Sequence, residues 1–488
     1  MEQYTVKFNQ VRHKLTDFRS LEINELHAYQ FEKIALIGAN GTGKTTILNM
    51  IHQTVTPDHG HIEVNEDDQY FEQLNMDIDS DYNQLDGEVL SEFKLSMKYT
   101  NVMSGGEIAK YKLSQIISDY RPILLLDEPT NHMDSNGIEY LINHLKYYYG
   151  TLILVSHNRY LIDKVVDTIW EIQNNGKIRV FKGNYSQYQE QIKLEEIEQK
   201  KEYEQYENEK RRLKKASVEK RKQAQKVNKV TDKQRNKSIK PDRYSASKQK
   251  DSVEKAVQKQ AKHIEKRLEQ LEKVEKPQVH QRFQFPQNKI YSIYNKYPII
   301  AQDLTLMKSD ITLLSHVRFQ IPYGQNIAII GENGVGKTSL FEAIYQYNAC
   351  IDISPKVKMA YYRQLSYEEM KDVTLLNYLM EETDTTEAFA RSILNNLGLN
   401  EALDRSCKIL SGGERTKLSL AILFTTNANV LILDEPTNFL DIQTLEALEL
   451  FMNAYPGIIL FTSHDTAFVE QVADVKWEIR EQSIYDVT

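Results

Sequence analysis

Two stretches of this 488-residue chain are spaced for handling phosphate: "GANGTGKT" at 38–45 and "GENGVGKT" at 331–338. The pattern Gly-x-x-x-x-Gly-Lys-Thr makes a loop whose backbone N–H groups wrap a phosphate, with glycine where the backbone must approach closely. In the first copy Gly38, Ala39, Asn40, Gly41, Thr42 and Gly43 form the wrap. Lys44 reaches the β and γ phosphates, the Thr45 hydroxyl ligates Mg²⁺, and Thr46 follows. In the second, Gly331, Glu332, Asn333, Gly334, Val335, Gly336, Lys337, Thr338 and Ser339 stand in the same order. Further on, Asp127 and Asp434 end apolar runs, where a carboxylate can hold the Mg²⁺ shell. Glu128 and Glu435 come next and are candidates to orient or deprotonate an attacking water. Alone, an acid before proline reads as a helix cap; after "ILLL" and a phosphate loop, the chemical reading prevails. His157 and His464 each close a later strand, at the same place in each copy, which suggests a contact to the γ phosphate.

These residues must be positioned by a repeated architecture. The phosphate loop recurs at an offset of 293 residues, whereas "SGGE", "LDEPTN" and "SH" recur at 307, so the second copy carries 14 extra residues between loop and "SGGE". "KIALIG", "NIAIIG", "ILLLDE" and "TLILVSH" read as buried parallel strands, and "TTILNMIHQ" as an amphipathic helix. Polar residues at the carboxyl ends of such strands are where an open α/β sheet binds ligands. The boundaries expected are 1–188 and 298–488 for the two α/β domains, with 189–297 between them. No apolar run reaches the ~18 residues of a membrane helix, and the start shows no signal-peptide pattern. The two cysteines, Cys350 and Cys407, make neither a disulfide framework nor a metal spacing. A cytoplasmic protein is expected.

"SGGE" after a phosphate loop, then "LDEPTN", then "SH", resembles the ATP-binding cassette family over both copies. The resemblance implies an ATPase whose cassettes form a head-to-tail sandwich, each ATP with Mg²⁺ lying between the phosphate loop of one copy and "SGGE" of the other. Ser104, Gly105, Gly106 and Glu107 would then serve the nucleotide at Lys337, and Ser411, Gly412, Gly413 and Glu414 the one at Lys44. By the same carry-over Gln73 in "YFEQL" and Gln364 in "YYRQL" match the Mg²⁺-sensing glutamine. The first copy departs from the family in "MSGGE" and "SHN", which leaves open whether the two sites are equally active. Neither loop is preceded by an aromatic where the family stacks adenine, so ATP over GTP also stays open.

Between the copies the charge changes sign. Residues 191–280 hold 27 basic and 16 acidic side chains, a net of +11, leaving −19 for the rest of a chain whose total is −8. Such segregation speaks of partners rather than fold. Residues 188–228 are strongly helix-forming, with Leu194, Ile197, Tyr206 and Leu213 as apolar or aromatic positions. Val257, Ala261, Ile264, Leu268 and Leu271 are spaced by four and three like a coiled-coil seam, and Pro241 breaks any continuous helix. The expectation is an antiparallel helical hairpin with its tip loop near 236–246, where Lys240, Arg243 and Tyr244 can pair with phosphate or stack on bases.

Two fused cassettes, no membrane segment and this linker resemble the ABC-F proteins. "QFEKIALIGANGTGKTT", "FKGNYSQY" and "IKPDRYSASK" narrow the resemblance to the Msr macrolide-resistance group. That resemblance implies a ribosomal protection protein that binds the 70S ribosome at its exit site and reaches with its linker, by way of ribosomal and possibly transfer RNA, toward the peptidyl-transferase centre. It would displace macrolide or streptogramin B antibiotics, with ATP hydrolysis driving release. DNA and a stable membrane partner are not expected. A housekeeping ABC-F factor and a duplicated ATPase subunit of an efflux transporter are the competing readings. The short gap from Gln73 to Ser104 and the basic hairpin weigh against them.

Overall fold

The computed structural model describes residues 3–16, 19–72, 105–130, 133–173, 175–234, 295–308, 311–362, 370–383, 385–399, 402–410, 412–438 and 440–487, with short pieces between 259 and 274. Its compact units are Met1–Tyr188 with His280–Thr488, and Gln189–Val279.

The first copy runs β1 (Tyr4–Thr16), β2 (Arg19–Tyr29), β3 (Lys33–Gly38), α1 (Lys44–Ile51), β4 (His59–Val64), β5 (Asp68–Phe71), α2 (Gly105–Ser118), β6 (Ile123–Asp127), α3 (Ser135–Tyr147), β7 (Thr151–Val155), α4 (Arg159–Val165), β8 (Thr168–Ile172) and β9 (Ile178–Lys182). A six-stranded sheet has the order β5-β6-β7-β3-β8-β9, parallel except for the β8–β9 hairpin at its edge. The uninterrupted apolar runs of β6 and β7 are buried at every position, as strands covered on both faces must be. Strand β3 lies inside the sheet between β7 and β8, so the phosphate loop leaves from the sheet's middle. An antiparallel sheet, β2-β1-β4, completes this copy. Its alternating inward residues Val6, Phe8, Leu21 and Ile23 share one core with Ile34, Leu36, Ile47 and Trp170.

After linker helix α5 (Tyr185–Gln234), the second copy follows the same path through β10 (Ile299–Lys308), β11 (Ile311–Ile321), β12 (Asn326–Ile330), α6 (Lys337–Tyr345), β13 (Ile351–Ile353) and β14 (Met359–Tyr361), then α7 (Leu375–Glu382), α8 (Glu387–Asn396), α9 (Gly412–Thr425), β15 (Val430–Leu433), α10 (Ile442–Ala454), β16 (Ile458–Phe461), α11 (Thr466–Val472), β17 (Val475–Arg480) and β18 (Ser483–Asp486). The sheet order β14-β15-β16-β12-β17-β18 repeats the first copy. The segment that carries the 14 extra residues folds as α7 and α8, whose Leu375, Leu379, Ile393 and Leu394 are fully buried against Leu418 and Phe424.

Linker helix α5 (Tyr185–Gln234) is one 50-residue helix, about 75 Å long at 1.5 Å per residue. Its surface carries the i,i+3 pairs Glu207–Lys210 (3.0 Å) and Glu209–Arg212 (3.5 Å). Arg267, in the returning segment, comes within 3.8 Å of Glu209, so the two arms of the hairpin run side by side there. Leu213 is buried, whereas Leu194 and Ile197 are half exposed. The expected tip residues Lys240, Arg243 and Tyr244 lie outside the described residues. Among the described residues no helix is long and apolar enough to cross a membrane.

Candidate nucleotide site

Each phosphate loop turns into its helix at a glycine in left-handed backbone, Gly43 (φ 99°) before α1 and Gly336 (φ 111°) before α6. A Cβ on Gly43 would lie 2.9 Å from Leu15 and Leu21, so both backbone angle and packing demand glycine. The loop is closed on itself by Thr42 Oγ1, which donates to Ala39 O at 2.8 Å. Lys44 Nζ donates to the carbonyls of Gly38 (2.8 Å) and Ala39 (3.2 Å), and Lys337 Nζ to those of Gly331 (2.8 Å) and Glu332 (3.0 Å). Burial lowers the pKa of both ammonium groups, while the carboxylates at 128 and 435 respectively oppose that.

Thr45 Oγ1 donates to Asp127 Oδ2 and Thr338 Oγ1 to Asp434 Oδ2, both at 2.7 Å. Among the described residues no cluster of three metal-ligating side chains occurs. A cation at this place would therefore take the hydroxyl and the carboxylate plus oxygens from a phosphate, which suits Mg²⁺. Gln73 and Gln364 lie outside the described residues, as do Ser104 and Ser411.

Glu128 (φ 50°) and Glu435 (φ 49°) are held in left-handed backbone, unusual for a residue with a Cβ and a form of strain found at functional sites. The turn is fixed by Glu128 N donating to Val155 O (2.8 Å) and Glu435 N donating to Thr462 Oγ1 (2.9 Å). It aims each carboxylate at a histidine. His157 N donates to Glu128 Oε2 at 3.2 Å, and His157 Nε2 lies 3.2 Å from Glu128 Oε1 without hydrogen-bond alignment. In the second copy His464 Nε2 is 3.3 Å from Glu435 Oε1 and 3.0 Å from Asn333 Oδ1. Glu128 Oε1 and both carboxylate oxygens of Glu435 are buried with no hydrogen-bond partner. A buried acceptor without a donor is costly and fits a place built to receive one, such as a water. Burial pushes both glutamates up to about 7 and holds His157 at about 3 and His464 at about 4, so the imidazoles are neutral at physiological pH.

The helix caps fall elsewhere. Asp134 caps α3 by accepting Gly137 N (3.0 Å), and Asp441 caps α10 by accepting Thr444 N (2.9 Å). These two acids also join the copies. Asp441 Oδ2 accepts Asn40 N of the first phosphate loop at 3.0 Å and pairs with Lys417 Nζ at 3.3 Å. A Cβ on Gly413, at the start of α9, would lie 2.9 Å from Asn40 Nδ2. Across the other site Asn136 Nδ2 donates to Glu332 Oε1 at 2.9 Å, and Asp134 acts electrostatically on Lys337 and His464. Each phosphate loop therefore faces the opposite copy, which is the head-to-tail sandwich.

A family model described as "ABC transporter" matches residues 21–131 and 314–438. Over all 488 residues, the full length of both chains, this sequence is 68% identical to the "Erythromycin resistance ATP-binding protein MsrA" of Staphylococcus epidermidis. This chain belongs to the Msr-type ABC-F proteins. It is also 30% identical to the "Ribosome protection protein VmlR" of Bacillus subtilis, over 93% of this chain and 83% of that one. Among solved structures the fold matches an archaeal ribosome recycling factor in complex with a ribosomal stalk protein (TM-score 0.63, 15% identity, covering 96% of this chain and 87% of that chain). "RNase-L Inhibitor" gives the same TM-score of 0.63, with 14% identity over 98% of this chain and 90% of that one. Membership makes this ABC-F chain a nucleotide-binding ATPase.

Several residues at these ABC-F sites escape a reading of motifs alone. Tyr361 OH donates to Asp434 Oδ2 at 3.3 Å, and Tyr70 acts on Asp127 in the same place, so a tyrosine three residues before each motif glutamine backs the strand-end aspartate. The repeated first letter of "YFEQL" and "YYRQL" was the available signal. Asp134 and Asp441 also stand in register in the two copies, but their reach across the interface has no local signature.

The raised glutamates give a stability test. A carboxyl held near 7 in the folded protein ionises near 4.5 in the unfolded chain, so folding loses stability as pH rises through that window. The Glu128→Gln, Glu435→Gln double variant escapes the loss. Relative to the parent it gains up to about 1.4 kcal/mol per pH unit per glutamate between those limits. Urea unfolding midpoints at pH 5 and pH 7 measure it, and a constant difference between the two proteins would contradict the assignment.

Proposed function

We propose that the chain is a cytoplasmic ribosome-protection ATPase that binds the ribosome and counters macrolide-type antibiotics such as erythromycin. The observation that carries the reading is full-length identity of 68% to an erythromycin resistance protein. The paired, facing sites support it.

When bound, ATP with Mg²⁺ supplies the phosphoanhydride bond and a cation that neutralises its charge. The residues do the rest. Lys44 and Lys337 turn their ammonium groups from loop carbonyls to phosphate oxygens, and the loop N–H groups from Gly38 to Thr46 and from Gly331 to Ser339 orient the phosphates. Thr45 with Asp127, and Thr338 with Asp434, would hold the cation, and Gln73 and Gln364 would sense it. Glu128 and Glu435 take the proton from water at their unpartnered oxygens, and a carboxyl near neutrality is matched to that task. His157 and His464 stay neutral and hold the glutamates and the γ phosphate in line. Residues 104–107 and 411–414 close each site from the opposite cassette.

The basic linker, residues 189–297, is read as the element that reaches ribosomal RNA, with Lys240, Arg243 and Tyr244 at its working end. Replacing residues 238–246 by a Gly/Ser loop of equal length should leave ATPase activity intact and ribosome binding partly so, and abolish drug tolerance. ATP turnover, ribosome co-sedimentation and growth in erythromycin are measured on that one variant. Tolerance at the parental level would refute the assignment.

A further inference from the structure

The duplication supplies an internal control for the surface. The turn after α3 reads "KYYYG" at 146–150, and the matching turn after α10 reads "NAYPG" at 453–457. The shared ring is structural in both copies: Tyr148 OH donates to Arg121 O, and Tyr455 OH donates to Ala428 O at 3.0 Å. The unshared rings are not. Tyr147 is 79% exposed, Tyr149 73%, Tyr120 54% and Phe31 49%. At the corresponding positions the second copy carries Ala454, Pro456, Asn427 and Gly324, and it folds without them.

Phe31, Tyr149 and Tyr120 form one patch on the first cassette, and Tyr147 stands next to it in sequence at the end of α3. Phe31 and Tyr149 have ring centroids 4.7 Å apart, Tyr120 OH donates to Tyr149 O, and Tyr120 lies 5.8 Å from Tyr148. Two cations are set among them: Lys146 Nζ is 6.0 Å from the Tyr147 ring, and Lys33 Nζ donates to Lys146 O. Here too the second copy is neutral, with Asn453 and Asn326.

We propose that this patch is a docking surface for unpaired RNA bases, used when the chain is on the ribosome; it rests on the ribosome reading given above. Projecting aromatic faces with cations beside them are how proteins hold single-stranded RNA without reading its sequence. Exposed rings alone would serve a protein partner equally; the lysines beside them, replaced by asparagine in the second copy, favour a partner that carries phosphates. Outside the linker the chain is strongly acidic, so long-range attraction cannot hold RNA against this cassette, and short-range stacking with the local cations Lys33 and Lys146 must do so.

The test uses the full chain on ribosomes with a non-hydrolysable ATP analogue, irradiated at short ultraviolet wavelength and digested for mass spectrometry. Nucleotide adducts are expected on the peptide holding Tyr147 and Tyr149. The Tyr147→Ala, Tyr149→Ser variant should bind ribosomes about tenfold more weakly. Tyr147→Phe, Tyr149→Phe should bind like the parent, since stacking survives loss of the hydroxyls. ATPase activity of the free variants reports that they fold; should the first variant fail there, the parent's adducts decide. Co-sedimentation without adducts overturns the proposal, as do crosslinks from this peptide to a ribosomal protein. A parent that fails to co-sediment overturns the ribosome reading itself, and the patch with it.

Discussion

Exchanging Glu128 and Glu435 together for glutamine should lower ATP turnover by about 10²- to 10⁴-fold, the range in which a positioned general base contributes. Glutamine keeps the shape of the side chain and its place in the left-handed turn, and His157 N can still donate to its carbonyl. What is lost is the oxygen that accepts a proton. The sandwich should therefore close on ATP and stay closed. If the closed form is the one that binds the ribosome, the double variant accumulates there and inhibits translation, whereas either single variant leaves one working site. Turnover is read from phosphate release and occupancy from co-sedimentation with ATP, ADP or neither. Equal occupancy in all three conditions would falsify the link between closure and binding.

Replacing Asp441 by alanine should cost about 3–5 kcal/mol of stability, because it strips a buried cation of its partner. Burial alone would raise the pKa of Asp441; Lys417, Thr444 and Asn40 together hold it well below the ordinary carboxylate range. The acid is 1% exposed and Lys417 only 12%, so solvent cannot take over when the carboxylate goes. The same change removes the cap of α10, worth about 1 kcal/mol, and the acceptor for Asn40 N. Asp441→Asn keeps one acceptor for the cap but turns an NH₂ toward Asn40 N and Lys417 Nζ, so it should lose less than alanine only by the cap, about 1 kcal/mol. Urea unfolding of the three proteins separates these contributions. An alanine variant within about 1 kcal/mol of the parent would show that Asp441 does not hold the cassettes together.

The cassettes were legible because their signals are local. A fully apolar strand can only be covered on both faces, and a Gly-rich turn leading into Lys-Thr leaves few other uses. Thus β3 and β12 deliver Lys44 and Lys337 where the motif spacing indicated, and the offset of 307 puts Glu128 and Glu435 in register. The linker was less legible. Its first arm was readable from helix-forming composition, but which apolar positions pack was not: Leu213 is buried while Leu194 and Ile197 stand half exposed.

By itself, then, the sequence determined the duplication, the α/β class, the two phosphate loops and the reversed charge between them, since each depends on neighbours in the chain. Only the tertiary structure decided that Asp441 caps its own helix and also takes a hydrogen bond from Asn40, 401 residues away. Only it decided that Glu128 sits in left-handed backbone beside a histidine held neutral by burial, and that Tyr147 stands in solvent where Tyr148 turns inward. Such contacts and pKa values depend on what folding brings alongside a residue and how much water it removes, and neither quantity is written in local spacing.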